Sequence, residues 1–144
     1  MVERIEALFD GNLKGKTIGV LGVTFKPNTD DMRESPSLTI LPLLQEKGAH
    51  LKGYDPAGMV EAQKYLSNIE WTDTPYDALK DADAGLILTE WNEFRALDFN
   101  RLTSLMKSPM LIDLRNIYAW EEMKKRGFTY ASLGRPLIQG SLHT

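Results

Sequence analysis

The sequence contains no cysteine. That absence removes disulfides, thiolate metal ligands and a cysteine nucleophile. Histidine is nearly as scarce: His50 and His143 are the two present, far apart along the chain, which speaks against a histidine-built metal site. No apolar run approaches the roughly 20 residues of a membrane-spanning helix, and the opening MVERIE has no apolar signal core. No membrane association is expected, and the cytoplasm is the expected compartment. A basic surplus is missing as well. Lys and Arg number 17 against 20 Asp and Glu, for a net charge of −3, so no nucleic-acid partner is expected. The glycine fingerprint G-x-G-x-x-G is also absent: Gly19 and Gly22 stand in the first apolar run without the rest of the pattern. A dinucleotide pyrophosphate is therefore not expected to sit at this loop in the usual way.

What is present is the composition of one ordinary globular domain, 144 residues with 42% hydrophobic and 26% charged side chains. Short apolar runs alternate with helical patterns. Val2, Ile5, Leu8 and Phe9 have helical spacing, and residues 10–12 (DGN) end that helix. Residues 17–22 (TIGVLG) read as a buried strand. A polar loop follows over 23–35. Ser35-Pro36 then offers a capping hydroxyl and a proline at the first helical position. This helix runs to Gly48, with Pro42 expected to kink or split it. Strands are expected at 50–54, 69–72, 84–89, 110–114 and 130–133, and helices at 59–66 and 76–82. A helical stripe carries Phe99, Leu102 and Met106, and a last helix carries Trp120 and Met123 up to Gly127. Such alternation with short linkers implies crossover units. The expected fold is α/β, Rossmann-like and doubly wound: a mostly parallel sheet of about six strands flanked by helices.

In such folds ligands lie beyond the carboxyl ends of the strands. Two strand ends carry notable polar residues: FKPNTDDMRES over 25–35, and DLRN over 113–116. If their strands are neighbours, Lys26 and Arg115 converge on one crevice suited to a phosphate-bearing ligand. On composition alone, both read as solvated surface charges. Asp30, Asp31 and Glu34 lack calcium-loop spacing and read as turn caps or partners of Lys26 and Arg33. Arg33 either meets a second anion or pairs with Asp30. Trp91 and Phe94 could stack on a base or sugar, but core packing is the leading reading. From the residues alone, the conclusion is an α/β domain with an anion site.

The loop FKPNTDDMRESPS at 25–37 is long and specific. It is preceded by GKTIGVLG at 15–22 and followed by YDP at 54–56, LTEWNEF at 88–94 and DLRN at 113–116. This series resembles the C-terminal domain of the UDP-glucose/GDP-mannose dehydrogenase family, over about residues 2–136. The TEWNEF and DLRN blocks are more similar to the UDP-glucose 6-dehydrogenase branch. The resemblance implies an enzyme that oxidises a sugar C6 alcohol to a carboxylate in two NAD-dependent steps and serves polysaccharide biosynthesis. An N-terminal NAD-binding domain, a central helical dimerisation domain and an essential cysteine all lie upstream in the family. By that comparison, residues 1–12 are the end of a preceding helical region, 13–136 the UDP-sugar-binding domain and 137–144 a tail. The chain is expected to be inactive alone.

Carried over residue by residue, the resemblance implies that Phe25 and Lys26 contact the UDP-sugar, Phe25 largely through its backbone. Arg115 contacts the same ligand from the second strand end, and Arg33 reaches toward NAD held by another domain. The implied partners are UDP-glucose or a related nucleotide sugar and the rest of the parent enzyme. The parent is expected to be a homo-oligomer and this chain a monomer. The alternatives are a free-standing nucleotide-sugar-binding module, a domain serving mainly subunit contacts, and a domain of a GDP-mannose or UDP-N-acetylhexosamine 6-dehydrogenase.

Overall fold

A computed structural model describes residues 2–132. The expected tail at 137–144, and Leu133 at the end of the last expected strand, lie outside the described residues. The chain begins with helix α1 (Val2–Ala7), ended by left-handed Asp10 and Gly11. Strand β1 (Thr17–Leu21) follows, then α2 (Ser37–Glu46) and β2 (His50–Tyr54). Next come α3 (Met59–Ala62), β3 (Ile69–Trp71), α4 (Pro75–Leu79) and β4 (Ala84–Ile87). The series ends with α5 (Asn92–Arg95), α6 (Phe99–Leu105), β5 (Met110–Asp113), α7 (Trp120–Lys125) and β6 (Thr129–Ser132).

The six strands form one sheet in the order β3-β2-β1-β4-β5-β6, and every neighbouring pair is parallel. The order reverses between β1 and β4, which makes that junction the topological switch point of a doubly wound sheet. Side-chain alternation along the strands divides the interior in two. Ile18 and Val20 of β1, Ala84 and Leu86 of β4 and Ile112 of β5 join one buried cluster with α1 and α2. Leu21, Ile87 and Leu111 face the other cluster, with Leu79, Phe94, Leu102 and Met123 from α4 to α7. Gly19 permits the close approach on that second face: a Cβ there would lie 2.3 Å from the Ala78 carbonyl oxygen.

Local signals account for several boundaries. Gly48 ends α2 in the left-handed region (φ 95°), and Ala49 N–H reaches back to Leu44 O at 3.1 Å. Thr74 caps α4, accepting from Asp77 N–H at 3.1 Å with Pro75 as its first residue. Pro42 lies inside α2 without splitting it. The helices expected at 59–66 and 76–82 are shorter. After Ala62 the chain continues in turns that mix i to i+3 and i to i+4 hydrogen bonds, and α4 ends before left-handed Asp81. The short helix α5 was not foreseen, because it holds barely one turn of sequence pattern.

Candidate functional site

The loops after β1, β4 and β5 leave the sheet side by side at its carboxyl end. A buried acid shapes the first of them. Asp55, directly after β2, is fully buried and accepts from Val23 N–H at 2.8 Å and Thr24 N–H at 3.3 Å. The same carboxylate takes Ala57 N–H at 2.9 Å and Gly58 N–H at 2.7 Å. Ser35 and Ser37 hydroxyls both donate to Val23 O, at 2.6 and 2.7 Å, so the foot of α2 is tied to the end of β1. Ser35 Oγ also accepts from Ser37 N–H at 3.2 Å, so the expected capping hydroxyl serves the strand end as well. The Thr89 hydroxyl donates to Thr24 O at 2.8 Å and joins the loop after β4 to the same point.

Asp113, the last residue of β5, plays the matching role for the second loop. It is fully buried and accepts from Arg115 N–H at 3.0 Å, Ile117 N–H at 2.8 Å and Tyr118 N–H at 3.2 Å. The Tyr130 hydroxyl of β6 donates to it at 2.6 Å. This set folds DLRN into a tight turn with Asn116 left-handed at φ 57°.

The two loops meet across the intervening strand. β1 and β5 are not neighbours, contrary to the condition set by the sequence reading; β4 lies between them. The long arginine side chain spans that gap, and Arg115 Nη2 reaches Phe25 O at 3.5 Å. Glu90, from the loop after β4, lies with Oε2 2.6 Å from Arg115 Nε. This contact is one of charge: the buried Nε–H is not aimed at the carboxylate and makes no hydrogen bond.

Lys26 follows Phe25 with an exposed side chain, its carbonyl held by the Thr24 hydroxyl at 3.1 Å. Arg33 is displaced from this meeting point. Its side chain is 82% exposed and grips Asp31, not Asp30, with Nε to Oδ1 and Nη2 to Oδ2 both at 3.1 Å. Hydrogen bonds from the Arg33 side chain and from its N–H hold the Asp31 carboxyl below the ordinary value, and the pairing raises Arg33 in turn. Phe25, Asp31, Arg33 and Glu34 line one shallow hollow, with Glu34 left-handed at φ 61°.

The other sequence candidates resolve simply. Phe94 is fully buried and meets Tyr54 edge-to-face at 6.2 Å, while Trp91 is 9% exposed in the same core. Neither offers an open stacking face. Among the described residues, no group of three His, Asp or Glu side chains is placed to hold a metal ion. The β1 turn does not fit a dinucleotide either. Val23 and Thr24 present their N–H groups where such folds offer donors to a pyrophosphate, but the internal carboxylate of Asp55 already takes them. Sequence reasoning gave no role to Asp55, Asp113 or Glu90. The available signal was position: Asp55 and Asp113 close apolar strand runs, where a loop's backbone donors must be satisfied.

Comparison with known proteins gives these geometries a context. Residues 19–120 match the model of the UDP-glucose/GDP-mannose dehydrogenase family, UDP binding domain. The UDP-glucose 6-dehydrogenase of Rhizobium meliloti (strain 1021) is 54% identical over 136 residues, covering 94% of this chain and 31% of that protein. The UDP-glucose 6-dehydrogenase TuaD of Bacillus subtilis (strain 168) is 46% identical over 132 residues, covering 91% of this chain and 29% of its own length. The chain thus spans under a third of the length of these relatives. Among solved structures, a UDP-glucose dehydrogenase from the hyperthermophilic archaeon Pyrobaculum islandicum superposes with a TM-score of 0.67 at 33% identity. That match covers 78% of this chain and 24% of that one. An NDP-N-acetyl-D-galactosaminuronic acid dehydrogenase from Methanosarcina mazei Go1 shares the fold, with a TM-score of 0.77 at 24% identity over 99% of this chain and 29% of its own.

Proposed function

The chain belongs to the UDP-glucose/GDP-mannose dehydrogenase family as a UDP-binding domain, and from that premise we propose that it holds UDP-glucose for an NAD-dependent UDP-glucose 6-dehydrogenase. The observation that carries this reading is the meeting of Arg115 with the Phe25 carbonyl across β4. It sets a guanidinium fork beside the loop of Lys26, at the switch point of the sheet. A diphosphate there meets a fork of planar donors from one loop and an ammonium point charge from the other. Phe25 contributes through its backbone. The domain's part is positional: by fixing the anionic nucleotide end, it places the sugar C6 for chemistry carried by other parts of the enzyme. Arg33, exposed on the outer side of the loop, reaches toward NAD bound by a separate domain. The parent enzyme is a cytoplasmic homo-oligomer in this reading.

Names of relatives support glucose as the sugar, since both curated relatives described above are UDP-glucose 6-dehydrogenases. The test is calorimetric titration of the chain with UDP-glucose and with GDP-mannose. Saturable binding of UDP-glucose that weakens about tenfold on Lys26→Ala and on Arg115→Ala is the expected result. Binding unchanged by both substitutions removes these residues from the site.

A further inference from the structure

We infer that Glu90 is a positioning residue: it braces the back of the Arg115 guanidinium so that the Nη edge faces the diphosphate of a nucleotide sugar. The inference rests on the reading of Arg115 as a ligand contact. A carboxylate in a crevice meant for an anion is otherwise a liability, because it opposes the ligand's charge. Its placement removes the difficulty. Arg115 Nε is buried and lies 2.6 Å from Glu90 Oε2, so no ligand reaches that side of the guanidinium. One Nη2 donor is directed to Phe25 O at 3.5 Å. The remaining donors lie on the Nη atoms, and they form the edge left for a ligand.

Glu90 is itself held in place. Thr89 before it is tied to Thr24 O at 2.8 Å, Trp91 after it is buried in the core, and Arg95 Nη1 reaches its carbonyl at 3.5 Å. The sheet order sets this arrangement, because the loop that carries the acid leaves the strand between the two that carry the cations. A flexible arginine loses side-chain freedom when a ligand orders it, and a brace that orders it beforehand lowers that loss.

The experiment is calorimetric titration of the full chain with UDP at low salt, for wild type, Glu90→Ala, Glu90→Gln, Arg115→Ala and the Glu90→Ala/Arg115→Ala pair. Urea midpoints confirm that each variant is folded. The brace predicts an affinity about tenfold weaker for Glu90→Ala. Glu90→Gln keeps the shape but removes the charge, and since the contact is one of charge it loses about as much affinity as Glu90→Ala. In the Arg115→Ala background, removing Glu90 costs nothing further. Unchanged or tighter binding by Glu90→Ala overturns the inference and makes the acid a bystander or a competitor of the ligand. An equal loss in both backgrounds overturns it too, because Glu90 then acts on something other than Arg115. A wild-type chain that takes up no UDP overturns the functional reading itself, and the inference with it.

Discussion

The carboxylate of Asp55 accepts the N–H of Val23 at 2.8 Å, from a residue 32 positions earlier in the chain. The contact joins the end of β2 to the end of β1 and sets the direction in which the Lys26 loop departs. Replacing Asp55 with Ala strands several buried donors at once. The expected cost is about 3 kcal/mol of stability, read from urea denaturation. UDP-glucose binding should weaken as well, because the loop loses its anchor.

Tyr130 tests the second anchor more gently. Its hydroxyl donates to Asp113 at 2.6 Å, while three backbone N–H groups hold the same carboxylate. Tyr130→Phe should cost about 1 kcal/mol in denaturation and leave UDP-glucose affinity within twofold. Asp113→Ala should cost more and weaken affinity, since the turn bearing Arg115 then has no acceptor.

Arg115→Lys separates charge from geometry. The lysine keeps the charge but cannot span from Glu90 to Phe25 O while presenting a planar fork. Titration should show the affinity of Arg115→Lys near that of Arg115→Ala, about tenfold below wild type. Binding should weaken with added salt in the wild type, and less steeply in Lys26→Ala.

Alkaline pH should destabilise the fold through two tyrosines. Burial, with Glu93 beside it, raises the Tyr54 hydroxyl well above its ordinary value of 10; burial, with Asp113 nearby, does the same for Tyr118. Their neutral forms donate to Glu93 at 2.6 Å and to Phe94 O at 2.6 Å. Groups with a raised folded pKa contribute stability that is fully present below the unfolded value and falls as pH rises beyond it. Melting temperature should therefore drop above about pH 10, and Tyr118→Phe should make that drop shallower.

Mixed with UDP-glucose and NAD, the chain alone should produce no reduced nicotinamide. It has no cysteine to attack an aldehyde, and its β1 turn donates to Asp55 where a dinucleotide would bind. Steady accumulation of the reduced cofactor, followed by its absorbance, would refute this.

Strand positions were legible in the sequence because buried parallel strands are short apolar runs, as at 17–21, 84–87 and 110–113. Helix ends were less so. α3 and α4 stop early where left-handed residues and tight turns intervene, and periodicity carries no trace of those. Lys26 and Arg115 were visible as charges at strand ends. They were expected to converge if their strands were adjacent; the chain separates those strands by one, and Arg115 reaches Phe25 O across the gap. Glu90 was invisible for a related reason: an acid after a strand is common, and only the strand order shows that its loop leaves the strand between those followed by Lys26 and Arg115. Asp31, not Asp30, pairs with Arg33 because the tight turn after Thr29 brings its carboxylate onto the arginine's own N–H at 2.9 Å.

The junction of β1 with β4 has a kinetic consequence. Every other neighbouring pair joins strands linked by a single crossover, whereas Ile18 of β1 must find Ala84 of β4. Closing so long a loop carries the largest chain-entropy cost in the sheet. The three strands on each side can pair among themselves first, and neither half holds the crevice, since Lys26 stands on one and Arg115 with Glu90 on the other. Under the proposed function, onset of UDP-glucose binding during refolding is expected to time the joining of the halves.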